Sequence, residues 1–112
     1  MNFAVVILPE AEDIIFRTAQ WWAKNRSADQ ARHWFSGLYD AFETLRQNPE
    51  RCPPAREKSL FPMELRELHY GIGSRSTHRV IFTVKPEQVI ILTIRHMSQG
   101  DLEPEDLGFS SR

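Results

Sequence analysis

Glu57, Arg66, Arg79 and His96 are the residues of this sequence whose types are suited to anion or proton chemistry. An arginine carries a permanent charge and five donors in a planar fork, which suits it to holding a phosphate. A histidine gives or takes a proton near neutral pH, and a carboxylate can act as a base. Each also has a plainer reading. Arg79 can pair with a carboxylate on a neighbouring strand. Arg66, between Glu64 and Glu67, can form an exposed ion pair contributing roughly 0–1 kcal/mol. Glu57 sits in a Pro-rich charged stretch and reads as solvated. Arg95 adjoins His96, but strand alternation turns it to the opposite face. His69 and His78 have no third ligand nearby in sequence, so no metal site is expected. Gly71-x-Gly73 is a turn and not a phosphate loop, because no helix follows it. Trp21, Trp22 and Trp34 stand at helical spacing and are expected in the core.

The elements that position these residues follow from periodicity. Phe3 to Leu8 is a nearly continuous apolar run that fits a buried strand and ends at Pro9. Pro9 suits the first turn of a helix, with Glu10, Glu12 and Asp13 near its positive end. Ala11, Ile14, Ile15, Thr18 and Trp22 then mark a first helix over about residues 10–25. Ser27-Ala28-Asp29-Gln30 has the form of a capping box. Ala31, Trp34, Phe35, Leu38, Ala41, Phe42 and Leu45 continue a second helix, which stops at Gln47-Asn48-Pro49. Gly37 inside it costs about 1 kcal/mol relative to Ala, so close packing is expected there. Two amphipathic helices on so short a turn form an antiparallel hairpin. Pro49, Pro53, Pro54 and Pro62 punctuate a surface loop. Met63–Tyr70, His78–Val84 and Val89–His96 read as three strands. The order β-α-α-β-β-β predicts an α+β fold: an N-terminal strand, then the hairpin packed on a small, twisted, mainly antiparallel sheet.

The 112 residues suit a single domain over 1–112, and 41% hydrophobic with 26% charged content argues against disorder. No apolar run approaches the roughly 18–20 residues of a membrane span. The opening stretch lacks the basic region of a signal peptide, and the single Cys52 excludes an internal disulfide. These features fit a cytoplasmic protein. Net charge is −1 overall, yet residues 51–100 carry +4 between segments at −2 and −3. That basic middle hints at a local anion-attracting patch. The acidic tail 97–112 is expected to be loosely attached or to dock late.

Taken together, Val5, Pro9, Ala11, Asp13-Ile14, the hairpin ending Leu45-x-x-x-Pro49, Leu65-Arg66-Glu67-Leu68, His78-Arg79-Val80-Ile81-Phe82 and Ile94-Arg95-His96 resemble toxins of the RelE/ParE family. The resemblance covers about residues 3–98. It implies the toxin of a type II toxin–antitoxin module, of the plasmid-stabilisation kind, which arrests bacterial growth and is neutralised by a cognate antitoxin. It implies no cofactor and leaves two targets. The RelE branch cuts messenger RNA on the ribosome; the ParE branch poisons DNA gyrase and cuts nothing itself. For a nuclease, the resemblance would give Arg66 and Arg79 the phosphate, His96 the leaving group and Glu57 the role of base. The long hairpin and near-neutral charge favour the ParE branch, since a protein entering the decoding site needs a strong positive excess. Oligomeric state is not legible, and a chain that keeps the fold without toxicity is a third reading.

Overall fold

The computed structural model describes residues 2–109. Strand β1 (Ala4–Ile7) leads into helix α1 (Pro9–Asn25) and helix α2 (Ala28–Glu43). Strands β2 (Arg66–Tyr70), β3 (His78–Val84) and β4 (Gln88–His96) follow, and a single 3₁₀ turn (Pro104–Leu107) comes last. The sheet has the order β1-β4-β3-β2, with β1 parallel to β4 and the other pairs antiparallel. The α+β layout expected from the sequence is the one observed.

Local chemistry explains the boundaries. Pro9 occupies the first turn of α1 with Glu10 and Glu12 beside it. The Ser27 hydroxyl accepts the Gln30 N–H at 3.0 Å and starts α2. Beyond Glu43 the chain tightens into a 3₁₀ turn at Thr44–Arg46, and Asn48 takes a left-handed φ of 50° before Pro49. The second helix therefore ends earlier than its apolar spacing predicts, because Leu45 reaches the core from that tighter turn.

The helical hairpin covers one face of the sheet. Ala11 and Ile15 of α1 and Trp34, Leu38 and Phe42 of α2 share one core with Val80, Phe82, Ile91 and Ile94. Phe35 and Trp22 pack at its margin. Trp21 departs from the expected core placement: it is 50% exposed, since it sits beside the buried stripe of α1 and not within it. Gly37 faces the Tyr70 hydroxyl, which donates to Trp34 O at 2.8 Å; a Cβ on Gly37 would lie 2.3 Å from that oxygen. Close packing is the reason for the glycine.

The other face of the sheet is covered as well, which no period in the sequence predicts. Ala55 and Phe61 from the Pro-rich segment, with Leu65 just before β2, form a second core with Ile81, Leu92 and Leu102. A bulge makes this possible: Ile81 pairs with Thr93 but Phe82 pairs with Ile91, so Leu92 is the extra residue and turns to the second face. The acidic tail is docked through residue 109, with Leu102 only 1% exposed and Phe109 edge-on to Phe61 at 6.0 Å. Residues 110–112 of the tail lie outside the described residues.

Gly37→Ala should lower stability by about 1–3 kcal/mol, the usual cost of overpacking. Thermal unfolding should show a smaller penalty when Tyr70→Phe has already removed the hydroxyl. Equal penalties in the two backgrounds would mean that the close approach is not what requires glycine.

Candidate functional site

Because β3 is an inner strand covered on both faces, a charge on it has to be satisfied from within. Arg79 is 1% exposed and lies on the face away from the helices. Its Nη1 donates to Glu67 Oε1 at 2.6 Å and to Glu57 Oε1 at 3.0 Å, and its Nη2 donates to Glu57 Oε2. Glu67 comes from the adjacent strand β2, whose His69 is the cross-strand partner of Arg79. Glu57 comes from the Pro-rich segment and is itself 1% exposed. Its Oε2 also accepts the Leu102 N–H at 2.8 Å, so one carboxylate joins sheet, loop and tail. His69 Nε2 lies 2.6 Å from Glu67 Oε2 at the outer edge of the cluster.

The electrostatics follow from that geometry. Burial alone would raise the Glu57 carboxyl, but hydrogen bonds from Arg79 and Leu102 N–H, with the guanidinium charge, outweigh it and hold the group at about 2. For Glu67 burial also pushes upward, and the bonds to His69 and Arg79 bring it below the ordinary glutamate value. The Glu57 bond in turn holds Arg79 more firmly protonated. Glu57 is thus not the solvated residue that its charged, Pro-rich surroundings suggest. A carboxylate this well held is a poor base, and a guanidinium with both Nη atoms on carboxylates is a poor phosphate ligand.

The other two candidates lie elsewhere. Arg66 pairs across the sheet with Phe82, which places it on the helical face, opposite Arg79. Its Nη1 donates to Cys52 O at 2.6 Å and Glu50 O at 3.2 Å, and Nη2 reaches Glu64 at 3.3 Å. Arg66 is therefore a part-buried anchor for the 50–52 turn more than an exposed ion pair. His96 pairs with His78 at the far end of β3. The structure brings Glu57 and Arg79 together and leaves Arg66 and His96 apart from them and from each other.

The basic middle of the chain is consumed in the same manner. Arg51 donates to Thr44 O, Gln47 O and Asn48 O, closing the end of the helical hairpin. Arg56 pairs with Asp101 at 2.7 Å, and Arg95 donates to Gly100 O at 2.9 Å and lies 3.8 Å from Asp106. With Arg66 and Arg79, five of the eight basic residues in 51–100 serve internal acceptors. Arg66, Arg79 and Arg95 are at least part-buried, whereas Arg51 and Arg56 stay exposed, so the local net charge overstates what the surface presents.

A different surface has an open shape. A groove of about 480 Å³ lies between α1 and the end of the sheet, lined by Ile14, Arg17, Trp21, Trp22, His78 and His96, among others. His78 is buried against Trp34 and His96, at 5.4 and 5.1 Å between ring centroids, and its Nδ1 lies 2.8 Å from Thr77 Oγ1. Burial, then the neighbouring His96, lower His78 to about 4, so it is neutral at physiological pH. Sequence reasoning weighs His78 only as a metal ligand and misses its pairing with His96. The available signal is the register of two strands joined by the short Lys85-Pro86-Glu87 link. Among the described residues no group of three or more His, Cys, Asp or Glu is placed to hold a metal ion, and no helix is long and apolar enough to cross a membrane.

The sequence matches the family described as ParE toxin of type II toxin-antitoxin system, parDE, over residues 5–100. The chain belongs to the ParE toxin family. Comparison with curated proteins gives no match. Among solved structures it is similar to one described as "Chromosomal ParDE TA system from P. aeruginosa", with a TM-score of 0.67 and 16% identity over 85% of this chain and 96% of that one. At that identity the likeness speaks for the fold. Membership of the ParE family also implies an antitoxin partner for this chain.

Two buried groups give this ParE-family fold a staged response to acid. His78, at about 4 instead of 6.5, contributes stability that is full above pH 6.5 and is lost as pH falls towards 4. Glu57, at about 2 instead of 4.5, contributes stability that is full above pH 4.5 and is lost as pH falls towards 2. At about 1.4 kcal/mol per pKa unit, the His78 stage is worth about 3–4 kcal/mol. Urea unfolding from pH 8 to pH 3 should show both stages. Glu57→Gln should be less stable at pH 7 but flatter below pH 4.5. A Glu57→Gln slope equal to that of the wild type in that range would show that the carboxyl is not held low.

Proposed function

We propose that this chain is a growth-arresting toxin that acts in the bacterial cytoplasm by binding a protein target, DNA gyrase, and has no catalysis of its own. The observation that carries this reading is the mutual neutralisation of Arg79 and Glu57 inside the molecule. Ribonuclease chemistry on a phosphodiester requires cations, a base and an acid arranged around one phosphate. Of the four residues suited to those tasks, two are locked in a buried ion cluster, and the other two stand apart at different parts of the sheet. A net charge of −1 gives the protein little means of entering the phosphate field of a ribosome. A surface that works by protein contact has neither requirement. Family membership supports the same branch, whose expected target is gyrase.

Induction of the chain without its antitoxin should stop growth, trap gyrase in DNA cleavage complexes and raise the SOS response. Message ends mapped by primer extension should match those of uninduced cells. Arrest with intact chromosomes and new, codon-positioned message cuts would overturn the proposal in favour of a ribosome-dependent endoribonuclease. Unimpaired growth would overturn both.

A further inference from the structure

His78 and His96 stand 18 residues apart in the sequence, and the register of two strands brings them together. They are directly opposed on the antiparallel pair β3–β4, and both line the groove of about 480 Å³ beside α1. Their ring centroids lie 5.1 Å apart with the planes at 79°. Each ring has Nδ1 turned back to a neighbouring hydroxyl: His78 to Thr77 Oγ1 at 2.8 Å and His96 to Ser98 Oγ at 2.7 Å. Nε2 is therefore the edge that each ring has left for the groove. An acceptor on Nδ1–H fixes the ring and its tautomer, which is how outer partners prepare a histidine to bind a metal through Nε2.

The spacing fits as well. Two imidazoles on one tetrahedral ion, with their nitrogens roughly 2.1 Å from it, have centroids about 5 Å apart. The strands already supply that separation. Arg17, which also lines the groove, is paired with Asp13 at 2.8 Å. One proton has to move. The Ser98 N–H donates to His96 Nδ1 at 3.0 Å, so the free neutral ring carries its proton on Nε2. A metal at Nε2 shifts that proton to Nδ1, where Ser98 Oγ accepts it, and the exposed Ser98 N–H passes to water. The ring stays neutral throughout.

We propose that His78 and His96 form a two-histidine capture site for a divalent ion of the Zn²⁺, Cu²⁺ and Ni²⁺ class, with its remaining coordination positions open to the groove. Imidazole nitrogen suits those ions and not Mg²⁺ or Ca²⁺, which seek oxygen. Two protein ligands make neither the four-ligand set of a structural site nor the three-ligand set of a hydrolytic one. The ion ties the ends of β3 and β4 together, and water or another small donor completes its shell.

The full chain, free of any affinity tag, is titrated calorimetrically with Zn²⁺, Cu²⁺ and Mg²⁺. One ion per chain should bind, Cu²⁺ more tightly than Zn²⁺, and Mg²⁺ should not bind. His96→Ala should abolish the one-to-one complex, and Ser98→Ala should weaken it by about 10-fold, as loss of a ligand's outer partner does. Both positions are exposed and tolerate change, and His33→Ala, an exposed histidine on α2, should bind as wild type does. Nitrogen–proton correlation spectra of the imidazoles should show both Nε2 atoms shifted by Zn²⁺, with His96 converted from the Nε2–H to the Nδ1–H form. Zn²⁺ binding that survives His96→Ala, or that falls equally in His33→Ala, would mean scattered ions on surface histidines and overturn the assignment. So would a His78 ring unchanged in the Zn²⁺-loaded chain, or a wild type that binds neither Zn²⁺ nor Cu²⁺.

Discussion

A guanidinium buried on one face of a sheet that is covered on both, with two carboxylates closing on it, is the interaction on which the second half of this molecule depends. Removing an arginine and two glutamates from water costs several kcal/mol per ion, and only near-complete hydrogen bonding offsets it. Arg79 makes three such bonds through its Nη atoms, one to Glu67, which the sheet supplies, and two to Glu57, which the Pro-rich segment must deliver, while its Nε is buried without a partner among the described residues. Glu57 in turn takes the Leu102 N–H. Loop, strand and tail are held to one another through a few polar atoms, and the small apolar core of Ala55, Phe61, Ile81 and Leu102 closes around them. Losing Arg79 would leave two buried carboxylates uncompensated, at a typical cost of about 3–5 kcal/mol.

The same constraint shapes the surface. A chain with four surplus positive charges in its middle segment would be expected to attract polyanions, but five of its arginines are bonded to the protein's own carbonyls and carboxylates, two of them, Arg51 and Arg56, while still exposed. Their role is to tie irregular backbone to regular elements. This suits a fold in which a long stretch without helix or strand must lie flat on a sheet, where each buried carbonyl needs a donor. What remains for recognition is shape and apolar contact, concentrated on the helical hairpin and the groove beside it.

The first half of the fold is legible in the sequence because its signals are local. Apolar spacing of three and four residues, Pro9 at a helix start and Ser27 at a cap each act within a turn of helix. The strands are legible for the same reason. The site is less so, because burial of Glu57 is decided by a strand more than 20 residues away. A charged residue among prolines looks solvated until Arg79 is known to be buried and to take it as a partner. Likewise no sequence period announces the bulge at Leu92, which lets Leu92 join the second face, or the docking of Leu102 beneath the loop. Trp21 misleads because a stripe two residues wide at one level of a helix need not be buried across its width.

The central claim is that Arg79 and its carboxylates hold the fold together and do no chemistry. It is tested most directly by making the cluster neutral while keeping its shape, with Arg79→Met, Glu57→Gln and Glu67→Gln in one chain. The amide oxygen introduced by Glu57→Gln can still accept the Leu102 N–H, and no charge is left buried without a partner. We predict a cooperatively unfolding protein that arrests growth as the wild type does when induced without antitoxin. A variant that folds, binds the antitoxin and yet no longer arrests growth would contradict the account, and would return these residues to the mechanism of toxicity.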